Sequence, residues 1–334
     1  MNLHAQMINK IASTELSIVK SSPYHDRDTF LRNNQQLVNI HTSLMRDSAE
    51  VASSLNMYYH VSRYMACGCK DYLVMPTISK MLDDASLATD PRMLRAPFPS
   101  YSIEPPAGFG SLLNEITGEH QLWLFYVTMD KREDHIEVRI MVIGKKNKRS
   151  KHALDDSAYY FTIPVYLDRT IEESFTKQFS NMKSSIDSLH DGEKAEAMHI
   201  NLKSAKRYLA YCINTTLYAI SSNADSRWRS LYPEAVQKKI DSLKDQKRIN
   251  RLRKINKDKL VRKCVLGSSV TPSAPSRSTE KRWELQKRVH VRGHFHGYWY
   301  KTEEGKELRP KWLEPYWKGP EKADQVHTQF EVND

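Results

Sequence analysis

The chain is poor in cysteine and lacks any long run of apolar residues. Its four cysteines are too few for a disulfide scaffold, and the Cys67-Gly68-Cys69 spacing is too tight for the usual zinc knuckle. A membrane-spanning helix needs about 18 or more consecutive apolar residues, and no such stretch occurs. The first residues show no basic segment followed by an apolar block, so no secretory signal is expected. These absences predict a reduced, cytoplasmic protein that crosses no membrane.

The short motifs of common nucleotide and catalytic sites are also missing. Neither G-x-G-x-x-G nor G-x-x-x-x-G-K-[ST] occurs, so nucleotide binding by those routes has no support. The H-E-x-x-H and G-x-S-x-G motifs are absent as well. The sequence therefore assigns no catalytic residue and predicts no cofactor.

What the chain has instead is an excess of positive charge, most of it in one segment. The formal net charge of the 334 residues is +11, and residues 237–263 hold twelve Lys or Arg against three Asp. A basic segment of this kind is typical of proteins that contact phosphate-rich or acidic partners. The alternative interpretation is a helix whose charged face is simply solvated.

Apolar periodicity predicts a helical start followed by a sheet. Three- and four-residue spacing of apolar positions indicates helices over residues 1–66. Strands are predicted at 121–129, 135–143 and 158–167, and a charged turn joins the first two as an antiparallel hairpin. Pro164 cannot donate to a strand ladder, which places the third strand at an edge.

Three helices are predicted after this sheet. Thr170 and Glu173 have the spacing of a capping box, so a helix is expected directly after Thr170. A longer apolar helix follows over about residues 193–221. Pro233 suits the first turn of a basic helix over 233–263. The predicted class is α+β, with a helical N-terminal region, a central antiparallel sheet, a long helical pair, a basic helix and a C-terminal β-hairpin.

Composition divides the chain into six segments. The proline-rich stretch 96–110 and the Ser/Pro-rich stretch 266–279 interrupt the periodic patterns. The predicted segments are a helical region (1–95), a central sheet with its helical pair (96–232), a basic helix (233–265), a Ser/Pro linker (266–280), an aromatic and histidine-rich hairpin (281–320) and a disordered tail (321–334).

Residues 288–318 carry the most unusual pattern. Four of the six tryptophans lie between Trp283 and Trp317. In the first half, Val289, Val291, Phe295 and Trp299 occupy one parity, and His290, Arg292, His294, His296 and Tyr298 occupy the other. Successive side chains of a strand point to opposite faces, so one face is apolar and the other is a ladder of His, Arg and Tyr. A turn at 303–305 leads to a second predicted strand, 308–317. Because Trp, Tyr and Arg dominate binding hot spots, this hairpin is a candidate recognition surface.

The histidines leave four interpretations open. His294 and His296 would chelate a metal ion, but further ligands are not evident nearby and Arg292 would repel a cation. As acid and base, with Arg292 and Lys311 stabilising a pentavalent phosphate, they would suit a metal-independent ribonuclease. As a binding face they would stack on or hydrogen-bond a peptide or bases, which is the preferred interpretation. The fourth interpretation is a hairpin packed on the core, in which the histidines make hydrogen bonds but have no role in binding or catalysis.

A family resemblance rests on the same stretch. The sequence KRVHVRGHFHGYW (287–299), followed by LRPKW (308–312), resembles the C-terminal signature of the second class of type V-A anti-CRISPR proteins. In that family a basic run precedes an R-G-H-aromatic-H-G-Y-W core and an R-x-x-W strand. Uncharacterised phage and plasmid proteins carry related signatures.

This resemblance implies a protein of the bacterial cytoplasm, carried by phages or mobile elements. It implies recognition of the N-terminal polypeptide of a type V-A CRISPR effector nuclease during synthesis, with loss of the encoding mRNA. No catalytic residue is carried over. The predicted partner-binding residues are Arg292, His294, His296, Tyr298, Trp299, Arg309, Trp312, Tyr316 and Trp317.

A protein that engages a nascent chain would gain from a basic element that contacts the ribosome or messenger RNA. The residues predicted for that contact are Lys238, Lys239, Lys244, Lys247, Arg248, Arg251, Arg253 and Lys254. Two other functions remain as alternatives: an RNA-binding protein or ribonuclease that uses the histidine face, and a structural interaction module of a phage or plasmid.

Overall fold

A computed structural model describes most of the chain beyond the N-terminal region. The described residues are 59–65, 67–114, 117–145, 147–148, 158–187, 192–232, 234–256, 261–269, 288–302, 305–318 and 325–326. Residues 59–65 are helical, as predicted for 1–66, and the rest of those predicted N-terminal helices lies outside the described residues. Most of the predicted 266–280 linker lies outside them as well. Within the described ranges, no helix combines the length and apolar character needed to span a membrane.

An eight-stranded mixed sheet forms the centre of the molecule. Its strands are β1 (Asp71–Val74), β2 (Ser100–Glu104), β3 (Ser111–Asn114), β4 (Gly118–Lys131), β5 (His135–Gly144), β6 (Ala158–Tyr166), β7 (Ser226–Leu231) and β8 (Val261–Leu266). The order across the sheet is β6-β5-β4-β2-β1-β8-β7, with β3 paired to β4. β1 is parallel to both β2 and β8, whereas the other pairs are antiparallel. The α+β class is therefore confirmed, with a sheet that is mixed rather than purely antiparallel.

The three strands predicted from periodicity are confirmed as β4, β5 and β6. β4 is apolar on both parities and is covered on both faces, since Phe125, Tyr126 and Val127 are all fully buried. β5 pairs with β4 as the predicted antiparallel hairpin. β6 contains Pro164 and forms one edge of the sheet, where the missing N–H of a proline costs no ladder hydrogen bond.

The helices connect these strands. They are α1 (Pro76–Asp83), a 3₁₀-helix (Pro91–Met93), α2 (Ile171–Asp187), α3 (Gly192–Ala219), α4 (Glu234–Asp241) and α5 (Gln246–Ile255). The predicted capping box of α2 is confirmed. The Glu173 amide donates to the Thr170 hydroxyl at 3.2 Å, and the Thr170 amide donates to the Glu173 carboxylate at 2.7 Å.

α3 covers one face of the main sheet. Tyr208 and Tyr211 lie against Phe125 of β4, each with 6.1 Å between ring centroids. Tyr101 of β2 and Thr216 of α3 share a buried hydroxyl hydrogen bond of 2.7 Å. Because hydrophobic and aromatic burial is the main stabilising term in such a core, the packing of α3 stabilises this face of the sheet.

A cluster of buried charges lies between the other face of the sheet and the helical residues 59–65. Arg63 donates to both carboxylate oxygens of Asp130, at 3.0 and 3.1 Å, and to the Tyr59 hydroxyl at 2.6 Å. Arg139 of β5 donates to the same Tyr59 oxygen at 3.0 Å and to the Asp130 carboxylate at 2.5 Å. Each buried charge thus has an oppositely charged partner, which offsets the desolvation cost of burying it.

The prediction of one basic helix over 233–265 is wrong. Two short helices, α4 and α5, occupy this segment, and residues 261–266 form strand β8. A new helix begins after the turn, where the Asp245 side chain accepts from the Lys247 amide at 2.9 Å and so caps α5. The buried Cys264, Val265 and Leu266 take β8 into the core, which periodicity alone did not reveal.

The C-terminal strands form two small sheets. β10 (His294–Thr302) pairs with β11 (Gly305–Leu313), while β9 (Arg288–Val291) lies between β12 (Tyr316–Lys318) and β13 (Gln325–Val326). Three predictions need correction here. The strand predicted to run from residue 289 to 299 is broken at 292–293, the strand predicted over 308–317 is divided into β11 and β12, and the predicted disordered tail contains β13.

Candidate functional site

The candidate site is the β10–β11 hairpin, and its inner face fixes it to the body of the molecule. Phe295 pairs with Trp312 in the antiparallel register, and both side chains are buried, with Leu308 beside them. The Trp312 ring lies 4.9 Å from Phe295 and 6.2 Å from Tyr218 of α3, centroid to centroid. The inner face is therefore part of the main core.

The outer edge of β11 is tied to the turn between α3 and β7. The Asn223 side chain donates to the Trp312 carbonyl at 2.9 Å and accepts from the Trp312 amide at 3.0 Å. The Ser222 amide donates to the Pro310 carbonyl at 3.2 Å. These bonds satisfy the backbone N–H and C=O groups of β11 that point away from β10, and they hold the hairpin in one orientation.

The outer face of the hairpin carries the predicted ladder. His294, His296 and Tyr298 of β10 share it with Arg309 and Lys311 of β11, as the register requires. His296, Tyr298 and Arg309 are exposed, and His294 is half-buried. The prediction that these side chains share one face is confirmed for the residues after the break at 292–293.

Cations and rings alternate on this outer face. The Lys311 ammonium lies 5.3 Å from the Tyr298 ring centroid, and the Tyr298 ring lies 4.7 Å from that of His296. The Arg309 guanidinium lies 5.4 Å from the centroid of Tyr300, a residue that the sequence interpretation missed. Only the pairing register could have placed Tyr300 next to Arg309, because the two residues are distant in the motif.

Glu307 sets the orientation of Arg309. It accepts from the Arg309 Nε at 2.8 Å, lies 2.7 Å from another guanidinium nitrogen of Arg309, and also pairs with Arg95. Such a two-point contact holds a guanidinium more firmly than a single ion pair. The outer face therefore presents oriented aromatic and cationic groups, which suit a peptide backbone, acidic side chains or nucleobases.

Two predicted binding residues occupy positions that differ from the prediction. Trp312 is only 4% exposed, so a direct contact of its side chain with a partner is excluded in this conformation. Trp299 was predicted to face inward, yet it is 61% exposed, near the tip of the hairpin. Trp299 is therefore available to a partner, whereas Trp312 supports the face from behind.

The remaining predicted binding residues flank the hairpin. Tyr316 and Trp317 lie on β12, in the second small sheet, where the Trp317 ring lies 5.0 Å from His290. Arg292 is exposed in the break between β9 and β10. The predicted partner-binding residues thus lie on two small sheets, which the chain joins at Gly293, and not on one continuous strand.

The structure gives no independent support to a metal site on the histidines. Among the described residues, no group of three or more His, Cys, Asp or Glu side chains is positioned to hold a metal ion. Lys311 directly opposes His296 across the strand pair, where its charge would act against a bound cation.

The residues predicted to contact RNA or the ribosome lie on the two helices between β7 and β8. All eight are exposed, and they are spread over α4, α5 and the intervening turn. α5 contains no buried residue, and Ile255 at its end is 65% exposed. The basic surface thus belongs to a thinly packed insertion rather than to one long helix.

Comparison with known proteins identifies a family for most of the chain. A model of the anti-CRISPR type V subtype A2 family (AcrVA2-like) matches residues 72–320. Among solved structures, a crystal structure of AcrVA2 aligns over 95% of this chain and 93% of that chain, with a TM-score of 0.45 and 13% sequence identity. No curated protein matches the chain. The family match extends well upstream of the motif at 287–312, into the main sheet.

Proposed function

Since this chain belongs to the anti-CRISPR type V subtype A2 family, we propose that it binds the N-terminal nascent polypeptide of a type V-A CRISPR effector nuclease and causes loss of the effector mRNA. Family membership supports the broader function, which is to act against a CRISPR effector system. The recognised partner, the transcript loss and the site in the bacterial cytoplasm are our proposal for how it does so.

One observation supports peptide recognition most directly: an exposed face of oriented aromatic and cationic side chains on a hairpin with a buried back. His296, Tyr298 and Arg309 are exposed on one face, while Trp312 behind them is 4% exposed. Binding costs less when the contacting side chains are already held in place. A rigid hairpin of this kind suits a flexible, newly made peptide, because the protein side contributes little ordering cost.

The backbone of β10 offers a second contribution. Within the described part of the chain, β11 is the only strand paired with β10, whereas the outer edge of β11 is bonded to Ser222 and Asn223. An extended peptide can add to such an edge as a further strand, with main-chain hydrogen bonds for affinity and side-chain contacts for specificity. We infer that the effector peptide pairs with β10 and contacts Tyr298 and Trp299.

The basic insertion, which comprises α4, α5 and the turn between them, is the part of the molecule that would contact the translation machinery. Its eight exposed cations would attract ribosomal or messenger RNA over a distance of about 8–10 Å at physiological salt. Reversing the charge of Lys247, Arg248, Arg251 and Lys254 should weaken RNA or ribosome association and reduce inhibition. If both association and inhibition are unchanged by these substitutions, the basic residues form only a solvated helix face that does not contact RNA.

The test of peptide recognition uses purified protein and overlapping synthetic peptides from the start of the effector. One peptide should bind, and the triple variant H296A/Y298A/R309A should weaken that binding by at least about tenfold. The matched control is Y166A/R169A, which removes an Arg–Tyr pair of 4.9 Å on the opposite edge of the main sheet. It should bind like the wild type.

Two results would contradict the proposal. The first is that no peptide from this region binds. The second is that the hairpin variant and the control behave alike, in which case the peptide lies elsewhere on the molecule. RNA cleavage by the purified protein, lost on replacing His294 or His296, would instead favour a ribonuclease.

A further inference from the structure

Strand β7 is a second exposed feature, at the edge of the main sheet opposite β6. Residues Ser226–Ser230 are all exposed, and within the described ranges β8 is the one strand that pairs with β7. Its sequence places Trp228 between Arg227 and Arg229. The Trp228 ring lies 6.3 Å from that of the buried Tyr72, centroid to centroid, and so borders the core while remaining partly exposed at a basic edge.

Trp228 lies in a group of rings and cations that we call the Trp228 patch: Lys70, Phe98, Trp228 and Arg262. Trp228 is 39% exposed, and its ring centroid lies 6.3 Å from that of Phe98. The Lys70 ammonium lies 5.8 Å from the Trp228 centroid and 5.2 Å from that of Phe98, and the Arg262 guanidinium lies 5.5 Å from Trp228. Aromatic surface and two cations therefore converge at one edge.

The strand register explains this convergence. Trp228 pairs with Cys264 of β8, and Cys264 pairs with Tyr72 of β1, so all three side chains lie on the sheet face that α3 covers further inward. Cys264 and Tyr72 are buried, at 3% and 5% exposure. The row of buried side chains thus ends at the sheet edge with Trp228, which is partly exposed to solvent.

The surroundings of the patch are strongly basic. Arg227 and Arg229 alternate with Trp228 and so lie on the other face of β7. Arg227 lies 3.5 Å from Asp225, and Arg229 donates to the Ser268 hydroxyl at 3.4 Å. The connection from β7 to β8 is the insertion that carries α4 and α5 with their eight exposed cations. The edge strand and the insertion are therefore adjacent in the chain, and both are rich in cations.

We propose that the Trp228 patch binds single-stranded nucleic acid, with one base stacked on the Trp228 indole and the flanking phosphates held by Lys70 and Arg262. A base exposes a stacking face only when it is unpaired, so an aromatic platform selects single strands over duplex. The cations of α4 and α5 contact the backbone further along the strand. This inference rests on the proposal that the basic insertion contacts RNA, and adds the residues that would read an unpaired base.

Charge complementarity favours this ligand over an acidic peptide. The phosphates of a nucleic acid strand supply one negative charge per nucleotide, which matches cations spread along a strand edge and two helices. An acidic peptide would use the cations but would leave the indole without a defined partner. RNA and DNA single strands share the chemistry that the patch recognises, and the experiment below separates them.

The experiment measures binding of short fluorescent oligonucleotides to the full-length protein by anisotropy, in the absence of any effector peptide. The probes are one sequence as single-stranded RNA, as single-stranded DNA and as duplex, with fluorescent poly-glutamate as the acidic peptide. We expect the single strands to bind more tightly than the duplex, and Trp228→Ala to weaken single-strand binding by about 5- to 150-fold. Trp228→Phe retains a ring and should recover most of the affinity.

Because Trp228 also contacts Phe98, a second pair of variants keeps the test independent of folding. Lys70→Gln and Arg262→Gln should each lower the slope of log affinity against log salt by about one unit. Tyr166→Ala, at the opposite edge of the sheet, serves as the control and should change neither affinity nor slope. A thermal melt of each variant identifies any that fails to fold.

The outcomes separate this inference from the function on which it rests. If the charge-reversed insertion loses binding while Trp228→Ala binds like the wild type, the patch is not a stacking site and the basic insertion alone contacts nucleic acid. If the wild type binds no oligonucleotide, both the patch and the RNA part of the proposed function fail. Equal binding of duplex and single strands, or tighter binding of poly-glutamate, would also overturn the inference.

Discussion

Gly293 shows how one residue holds the hairpin against the core. A Cβ built at this position would overlap Cη2 and Cζ2 of Trp312 and lie 3.3 Å from Pro315. We expect Gly293→Ala to lower the free energy of unfolding by about 1–3 kcal/mol, since overpacking a tight contact forces the neighbours to move. Urea unfolding measures the change.

Trp312→Phe provides the control for this prediction. Phenylalanine lacks the two indole atoms that would be overlapped, so the double variant should lose less stability than the sum of the two single changes. Strict additivity would show that Gly293 is not packed against Trp312 in solution.

Asp71 is a residue whose charge should matter to stability. It is 8% exposed, and one of its oxygens accepts from Tyr64 and from Ser102, each at 2.5 Å. Burial raises the pKa of this carboxyl above its usual 3.8, although the bonds from Ser102 and Tyr64 act in the opposite direction. Because the pKa of the Asp71 carboxyl is higher in the folded state than in the unfolded state, the protonated carboxyl contributes stability that is fully present below about pH 4. This contribution is lost as the pH rises past the folded-state pKa.

We therefore expect Asp71→Asn to gain stability relative to the wild type as pH rises from about 4 to about 7. Urea unfolding at several pH values measures this difference. Asp168 provides the contrast, because its ion pair with Arg169 lowers the pKa of its carboxyl. Asp168→Asn should lose stability relative to the wild type only as pH rises towards about 4, and its difference from the wild type should then stay constant up to about pH 7. Parallel pH profiles for the two variants would contradict the assignment.

At the scale of single elements, Asn223 joins the hairpin to the turn after α3. Its side chain satisfies both the amide and the carbonyl of Trp312. Asn223→Ala should cost about 1–3 kcal/mol, because it leaves two backbone groups of β11 without these partners. Hydrogen exchange should show faster exchange of the Trp312 amide. Unchanged exchange there would mean that the hairpin is held by its buried face alone.

Local sequence predicts some elements well and others poorly, for physical reasons. β4, β5, β6, α2 and α3 are long, strongly periodic or marked by a capping box, and all were predictable. β1, β2 and β8 have only four to six residues, and their partners are distant in the chain. Their burial comes from β-pairing across the sheet, which a periodic pattern cannot reveal.

The candidate site was predictable only in part. Strand alternation correctly placed His294, His296 and Tyr298 on one face. It failed at the break beside Gly293, a position packed against Trp312, and alternation within one strand gives no information on packing against a residue so distant in sequence. It also missed Trp228, since a lone aromatic in a short strand gives no sign of whether the helical layer will cover it.

At the scale of the whole molecule, the two candidate surfaces meet at the turn between α3 and β7. Asn223 in this turn holds β11, and the Asp225 carbonyl accepts from the Gly267 amide at 2.8 Å, directly after β8. The outer face of the β10–β11 hairpin and the Trp228 patch are thus connected through a few residues of this turn. This arrangement would let the protein hold a nascent peptide on one surface while it contacts RNA on the other.

A recoded reporter distinguishes recognition of the effector's peptide, which we propose, from recognition of its mRNA sequence. One reporter carries the start of the effector gene with synonymous codons, so that the peptide is kept and the mRNA changed. The other carries two compensating frameshifts, so that nearly all nucleotides are kept and the peptide is changed. The transcript of each is measured by quantitative PCR with the wild-type protein and with the H296A/Y298A/R309A variant.

We predict that the wild-type protein depletes the synonymous transcript, spares the frameshifted one, and that the hairpin variant depletes neither. Depletion of the frameshifted transcript together with survival of the synonymous one would contradict peptide recognition, because it would show that the mRNA sequence itself is recognised.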